Sequence, residues 1–97
     1  MSIEIIQLNV REGDRRRKID TSTKECRVEV ATLIKENLRD GAAIFVAAGG
    51  NDFRVTGYDL KNDELIVRKN ETRRGRQTFR IPANGASVNI VPPTAGG

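Results

Sequence analysis

The alternation of apolar and polar positions divides the chain into one helix and a series of strands. Residues 3–10 (IEIIQLNV) are rich in β-branched side chains, with Ile6, Leu8 and Val10 in one alternating phase and Ile3 and Ile5 in the other. This predicts a strand with one buried face, and a bulge near Ile5-Ile6 where the phase changes. Arg11-Glu12-Gly13-Asp14 is a turn cluster. Residues 15–20 have Ile19 as their only large apolar side chain, the composition of a charged edge strand.

A helix is predicted next. Ser22-Thr23-Lys24-Glu25 fits a capping box, in which the Ser22 hydroxyl takes one free backbone N–H and Glu25 reaches back to another. Cys26, Val30, Leu33, Ile34 and Leu38 recur at helical spacing and form one apolar stripe with Ala31 beside it. Gly41 follows as a helix-terminating glycine, so the helix is placed at 23–40. Cys26, on the stripe, reads as a small core residue.

The remainder reads as strands. Residues 42–48 (AAIFVAA) are a continuous apolar run, the pattern of a central strand buried on both faces. Gly49-Gly50-Asn51-Asp52 is a hairpin turn. Phe53, Val55 and Gly57 alternate with Arg54 and Thr56, and Lys61-Asn62-Asp63 turns the chain again. Leu65 and Val67 share a face of the strand at 64–69, Phe79 and Ile81 share one at 78–81, and the last strand covers 87–91. The order strand, strand, helix, then four or five strands defines an α+β fold. Its single helix stripe must cover one face of a mixed, mostly antiparallel, curved sheet.

Composition narrows the function. A chain of 97 residues is one domain. The absence of His removes any His base, Ser-His-Asp triad or His-ligated metal, and one Cys excludes an internal disulfide or Cys-cluster metal site. An independent enzyme is not expected, and neither is a metal or a cofactor bound by this chain. No apolar run approaches the ~20 residues of a membrane helix. Met1-Ser2-Ile3-Glu4 has no basic-then-apolar signal pattern, so a cytoplasmic location is expected. Net charge is +4, and most of the basic residues fall in two stretches. One is 11–18, with Arg15, Arg16 and Arg17; the other is 68–80, with Arg73, Arg74 and Arg76. These are candidates for a surface facing phosphate or an acidic partner.

The end of the sequence carries the most specific signal. Two terminal glycines arise by chance about once in 200 chains at ~7% Gly usage, and here Pro92-Pro93 stands just before them. The run from Val88 to Gly97, VNIVPPTAGG, resembles the ending of ubiquitin-like β-grasp proteins. It is nearest to the sulfur carriers of molybdopterin and thiamine biosynthesis. The order of predicted elements also suits a β-grasp, with residues 1–91 as the domain and 92–97 as a flexible tail. The turn at 60–63 and the basic loop at 70–77 would be elaborations, more in keeping with a bacterial protein modifier than with a bare sulfur carrier.

The resemblance implies that a ubiquitin-activating-type enzyme, with its own ATP and magnesium, adenylates the Gly97 carboxylate. The product is then conjugated to target proteins through a conjugating enzyme, or converted to a thiocarboxylate for a sulfur-transfer synthase; a deconjugating peptidase is a further implied partner. Physical chemistry agrees with those roles. Gly96 would give clearance in a narrow channel, and Pro92, Pro93, Thr94 and Ala95 would form the tether, its two prolines projecting the chain stiffly away from the domain. An alternative resemblance is to Sm/Hfq-like small barrels, carried by residues 43–92 and the stretch from Asn51 to Gly57 (NDFRVTG). Its basic loops would bind RNA or DNA, although the strand at 3–10 is superfluous to such a barrel.

Overall fold

A computed structural model describes residues 1–69 and 77–93. β1 (Ser2–Gln7) and β2 (Arg15–Asp20) form an antiparallel hairpin, and α1 (Lys24–Arg39) crosses to β3 (Ala43–Ala48). β4 (Asn51–Asp59), β5 (Glu64–Lys69) and β6 (Thr78–Pro82) continue as an antiparallel meander, and β7 (Ser87–Val91) returns to the middle. Among the described residues the strands make one seven-stranded sheet in the order β2-β1-β7-β3-β4-β5-β6. β7 runs parallel to β1 and antiparallel to β3, which makes the sheet mixed. The protein is thus an α+β domain, with one helix on one face of a seven-stranded mixed sheet.

Local chemistry explains the elements. Gly49 and Gly50 both have positive φ, 58° and 80°, which a two-residue turn between Ala48 and Asn51 requires. β2 is an edge strand, with its four consecutive basic residues exposed and Ile19 alone buried. Pro82 ends β6, the opposite edge, where its missing N–H costs no ladder bond. A bulge at Thr56, between Val55 and Gly57, shifts the register of β4 against β5 and leaves Gly57 beside Ile66.

Val30 and Ile34 of α1 are buried, with Cys26, Leu33 and Leu38 packed around them. They lie on Ile3, Ile5, Ile44, Val46, Val55, Leu65, Val67, Val88 and Ile90. Three sequence expectations are corrected here. First, the core face of β1 carries Ile3 and Ile5, not Ile6, Leu8 and Val10, and Val10 is fully exposed. The strand stops at Gln7 because side chains take the next amides. Asn9 Oδ1 accepts from the N–H of Arg11 and Glu12, and Asp14 Oδ1 accepts from Asn9 N–H. The β1 register runs without a bulge from Ser2 to Gln7. Second, β3 is central but covered by the helix on one face only. Ile44 and Val46 point into the core, while Phe45 and Ala47 lie on the opposite face. Third, the helix cap is Thr23, whose Oγ1 accepts from Cys26 N–H at 3.3 Å. Ser22 belongs instead to the end of β2: its N–H donates to Asp20 Oδ1, and its hydroxyl and amide hold the Asp20 carboxyl below the usual carboxylate range.

The N-terminal end of the helix is locked by a buried carboxylate. Asp63, 6% exposed and at φ 53°, accepts from Thr21 Oγ1 at 2.9 Å and from the Tyr58 hydroxyl at 2.6 Å. Its carbonyl accepts from Ala83 N–H. Arg27 donates to the carbonyls of Thr21, Leu60 and Lys61 around it. Burial, then the bond to Asp63, pushes the Tyr58 hydroxyl pKa above its usual value. The Asp63 side chain therefore joins the β2–α1 junction to β4 and the β4–β5 turn, and its main-chain carbonyl adds the β6–β7 turn. Asp63→Ala is expected to destabilise the fold by about 1–3 kcal/mol for each donor left unpaired, while Tyr58→Phe, which removes one donor outright, has the smaller effect. Urea denaturation of the two variants measures this; equal, small effects would show that the carboxylate is not a structural tie.

Candidate functional site

The base of the tail is β7. It is hydrogen-bonded on both sides, to β1 and to β3, and Ile90 carbonyl accepts from Leu8 N–H at 3.0 Å. Val88 and Ile90 anchor it in the core. Pro92 and Pro93 follow outside the strand and are exposed. Proline has no N–H for a ladder, so pairing stops at Val91 and the chain leaves the sheet. Pro93 lies against the helix C-terminus, where a Cβ on Gly41 would stand 3.7 Å from Pro93 Cβ. Gly41, at φ 91°, donates to Leu38 carbonyl and closes the helix there. A cleft of about 440 Å³ opens around the two prolines, lined by Leu8, Asn9, Glu12, Arg15, Asn37 and Asp40 among others. Thr94, Ala95, Gly96 and Gly97 lie outside the described residues.

The first basic stretch does not act as one patch. Arg15 sits at the tail cleft, 3.9 Å from Glu12. Arg16 is on the sheet face opposite the helix, 3.8 Å from Glu4. Arg17 points to the helix side and pairs with Glu29 of α1 at 2.7 Å. Period-two alternation makes this split inevitable once the segment is a strand. Arg73, Arg74 and Arg76 lie outside the described residues. Lys69 and Gln77, which flank them, sit at the ends of β5 and β6 away from Pro92, because β3, β4, β5 and β6 alternate in direction from β7.

A second surface was not legible along the chain. On the face opposite the helix, strand register aligns Arg16, Ile6, Asn89, Phe45, Arg54 and Arg68 as successive neighbours across β2, β1, β7, β3, β4 and β5. The Arg54 guanidinium stands over the Phe45 ring, 5.9 Å from its centroid. Arg80, at the far end, is neutralised: it donates to Asp59 Oδ2 at 2.6 Å and lies 3.5 Å from Glu64. Among the described residues no carboxylate pairs with Arg54 or Arg68. The signal was present in the alternation of Ile44, Phe45 and Val46, but a both-faces-buried strand concealed it.

Among the described residues no helix is long and apolar enough to cross a membrane. Comparison with protein-family models, curated proteins and solved structures finds no match to this chain.

The acidic cluster gives a measurable pH dependence. The Asn62 side chain, then Arg80, hold the Asp59 carboxyl down to about 2. Because the folded pKa lies below the unfolded one, this contribution is complete above about pH 4 and is lost as the pH falls through about 2. Carboxyl NMR titration should give a midpoint near 2 for Asp59 and a higher one in Arg80→Gln, rising toward 3.8. An unchanged midpoint would mean that Arg80 does not hold the carboxylate in solution.

Proposed function

We propose that this chain is a ubiquitin-like β-grasp protein whose Gly97 carboxylate is the reacting group. A carboxylate oxygen of Gly97 attacks the α-phosphorus of ATP on a ubiquitin-activating-type enzyme, pyrophosphate leaves, and a carboxyl adenylate forms. Attack by a thiol or persulfide expels AMP. From the thioester the acyl group passes to a target amine, which gives an isopeptide bond and returns the thiol. From the acyl disulfide formed by a persulfide, a second thiol of the enzyme cleaves the S–S bond, which releases the thiocarboxylate for sulfur transfer and leaves an enzyme disulfide. A peptidase would reverse conjugation or expose Gly97 where further residues follow it. The activating enzyme supplies ATP, magnesium and the catalytic groups; this chain supplies the carboxylate, clearance at Gly96 and the tether from Pro92 to Ala95.

The observation that carries this reading is the position of β7. It lies between β1 and β3 with pairing on both sides and leads directly into Pro92-Pro93 at the end of the sheet. A tail so rooted would have a fixed point of departure. The β-grasp is supported by the order β2-β1-β7-β3-β4, with β1 and β7 parallel and α1 crossing between the hairpins. β5 and β6 extend that order at one edge. Curvature follows from chain length. Residues 83–86 join edge strand β6 to β7, four strands away. A flat sheet would place those strands ~19 Å apart, while five Cα steps reach at most ~18 Å when fully extended. These four residues instead fold into a turn closed by Ala86 N–H on Ala83 carbonyl, which supports a rolled sheet whose strand ends come together. The small-barrel alternative fits less well, since the N-terminal strand it does not need is internal here, with Ile3 and Ile5 in the core.

The test is incubation with adenylating enzymes, ATP and magnesium, followed by intact mass spectrometry. Deleting Gly96-Gly97 should move Tm by less than about 2 °C, because the core described above is built from residues 3–90. It should abolish activation, since the carboxylate is displaced by up to ~7 Å. A truncated protein that is activated as well as the full chain overturns the proposal.

A further inference from the structure

Separately from the tail, we propose that the sheet face opposite the helix is a binding platform for single-stranded nucleic acid. The row Arg16, Ile6, Asn89, Phe45, Arg54 and Arg68 crosses six adjacent strands. Followed along the sheet at ~4.8 Å per strand, its five steps cover about 24 Å of surface. It holds three arginines, one aromatic ring and one side-chain amide, and no carboxylate. Two carboxylates stand in the adjacent rows of this face: Glu4, 3.8 Å from Arg16 and accepting from Ser87 Oγ at 2.9 Å, and Asp52, opposite Ala47 and two residues before Arg54, so negative charge flanks the row without entering it. Arg54 and Arg68, in direct register, have no carboxylate partner among the described residues.

Charge complementarity alone would admit any polyanion; the aromatic group makes the choice. Phe45 is half-buried, so its position is fixed by the sheet, and the Arg54 guanidinium stands over the ring, 5.9 Å from its centroid, so a base would stack on the guanidinium or take its place on the ring. Bases stack on rings and guanidinium planes, and only unpaired bases present a free face to do so. An acidic peptide would gain from the arginines but would leave Phe45 unused. A duplex could not bring a base face to a ring set in the middle of a sheet. Arg16 on one flank, and Arg54 and Arg68 on the other, are placed for phosphates on either side of a base stacked at Phe45. Asn89, the neighbour of Phe45 on β7, offers both a donor and an acceptor to a base edge.

The experiment is fluorescence anisotropy with labelled 15-nucleotide oligo(dT) and oligo(U), from about 50 to 200 mM salt, with a duplex of equal length and a polyglutamate peptide as competitors. The expected result is binding of single strands that neither competitor displaces at equal charge concentration. Phe45→Leu should keep the fold by circular dichroism and weaken affinity roughly 5- to 150-fold without changing the salt slope, and Phe45→Tyr should restore it. Arg54→Gln with Arg68→Gln should reduce the slope of log K against log salt by about 1.4, two phosphates at ~0.7 each. The proposal is overturned by no binding at 50 mM salt, by equal competition from polyglutamate or duplex, or by loss of binding only when Arg73, Arg74 and Arg76 are replaced with Gln.

Discussion

Everything in this fold leans on the parallel pairing of β1 with β7. It joins Glu4 to Ser87 across most of the chain, through Glu4 N–H on Ala86 carbonyl and Leu8 N–H on Ile90 carbonyl. Gly85 N–H on Ser2 carbonyl and Ser2 N–H on Asn84 Oδ1 extend the seam to the first residues. Without it the β1–β2 hairpin would be an isolated two-stranded ribbon, which is marginal in water. β7 would keep β3 on one side but become a sheet edge, and Val88 and Ile90 would lose Ile3 and Ile5 as neighbours in the core. The entropy of closing so long a loop grows only slowly with its length. The apolar burial gathered at the seam, where Ile3, Ile5, Val88 and Ile90 meet under Val30 and Ile34, is what opposes it.

The two ends of the helix meet this seam differently. At the C-terminal end, Gly41, at φ 91°, lets the chain reverse into β3 close to Pro93. At the N-terminal end the joint is polar, built from Asp63, Thr21, Tyr58 and Arg27. A buried carboxylate is tolerated when its oxygens are fully engaged, and both Asp63 oxygens accept from hydroxyl groups. An apolar residue there would keep the main-chain bond to Ala83 but leave the Thr21 and Tyr58 hydroxyls without their acceptor.

Much of this was legible in the residues. The stripe from Cys26 to Leu38 identified the helix to within a residue at each end, the pair of glycines marked the β3–β4 hairpin, and a run of four basic residues with a single Ile announced an edge strand. What failed was phase and coverage. The run Ile3 to Val10 fits two alternations, and only Asn9 and Asp14, by capturing the following amides, decide between them. An apolar run such as that of β3 does not reveal which face has a helix over it. Asp63 stands among Lys61 and Asn62 and reads as turn chemistry; its burial depends on Thr21, distant in sequence. The pattern from Pro92 to Gly97 could be read because it is contiguous. The row through Phe45 could not, because it exists only in the registers of six strands, none of which is stated by the strand it belongs to.

The geometry also relates the two proposed surfaces. Asn89, in the row, and Pro92, just past the end of β7, are three residue steps apart, about 10 Å along the strand direction. The row crosses the sheet while the tail leaves at its end, so a polymer lying on the row would pass beside the tail root without covering it. β7 is hydrogen-bonded on both sides over this interval and cannot fold back on itself. A nucleic acid held at Phe45 would therefore fix the point from which the tail departs. The Gly97 carboxylate could then range only as far as residues 92–97 extend, ~20 Å from β7. Under that geometry occupation of the face would leave activation of the carboxylate open to its enzyme, and would confine any later transfer to amines close to the bound strand.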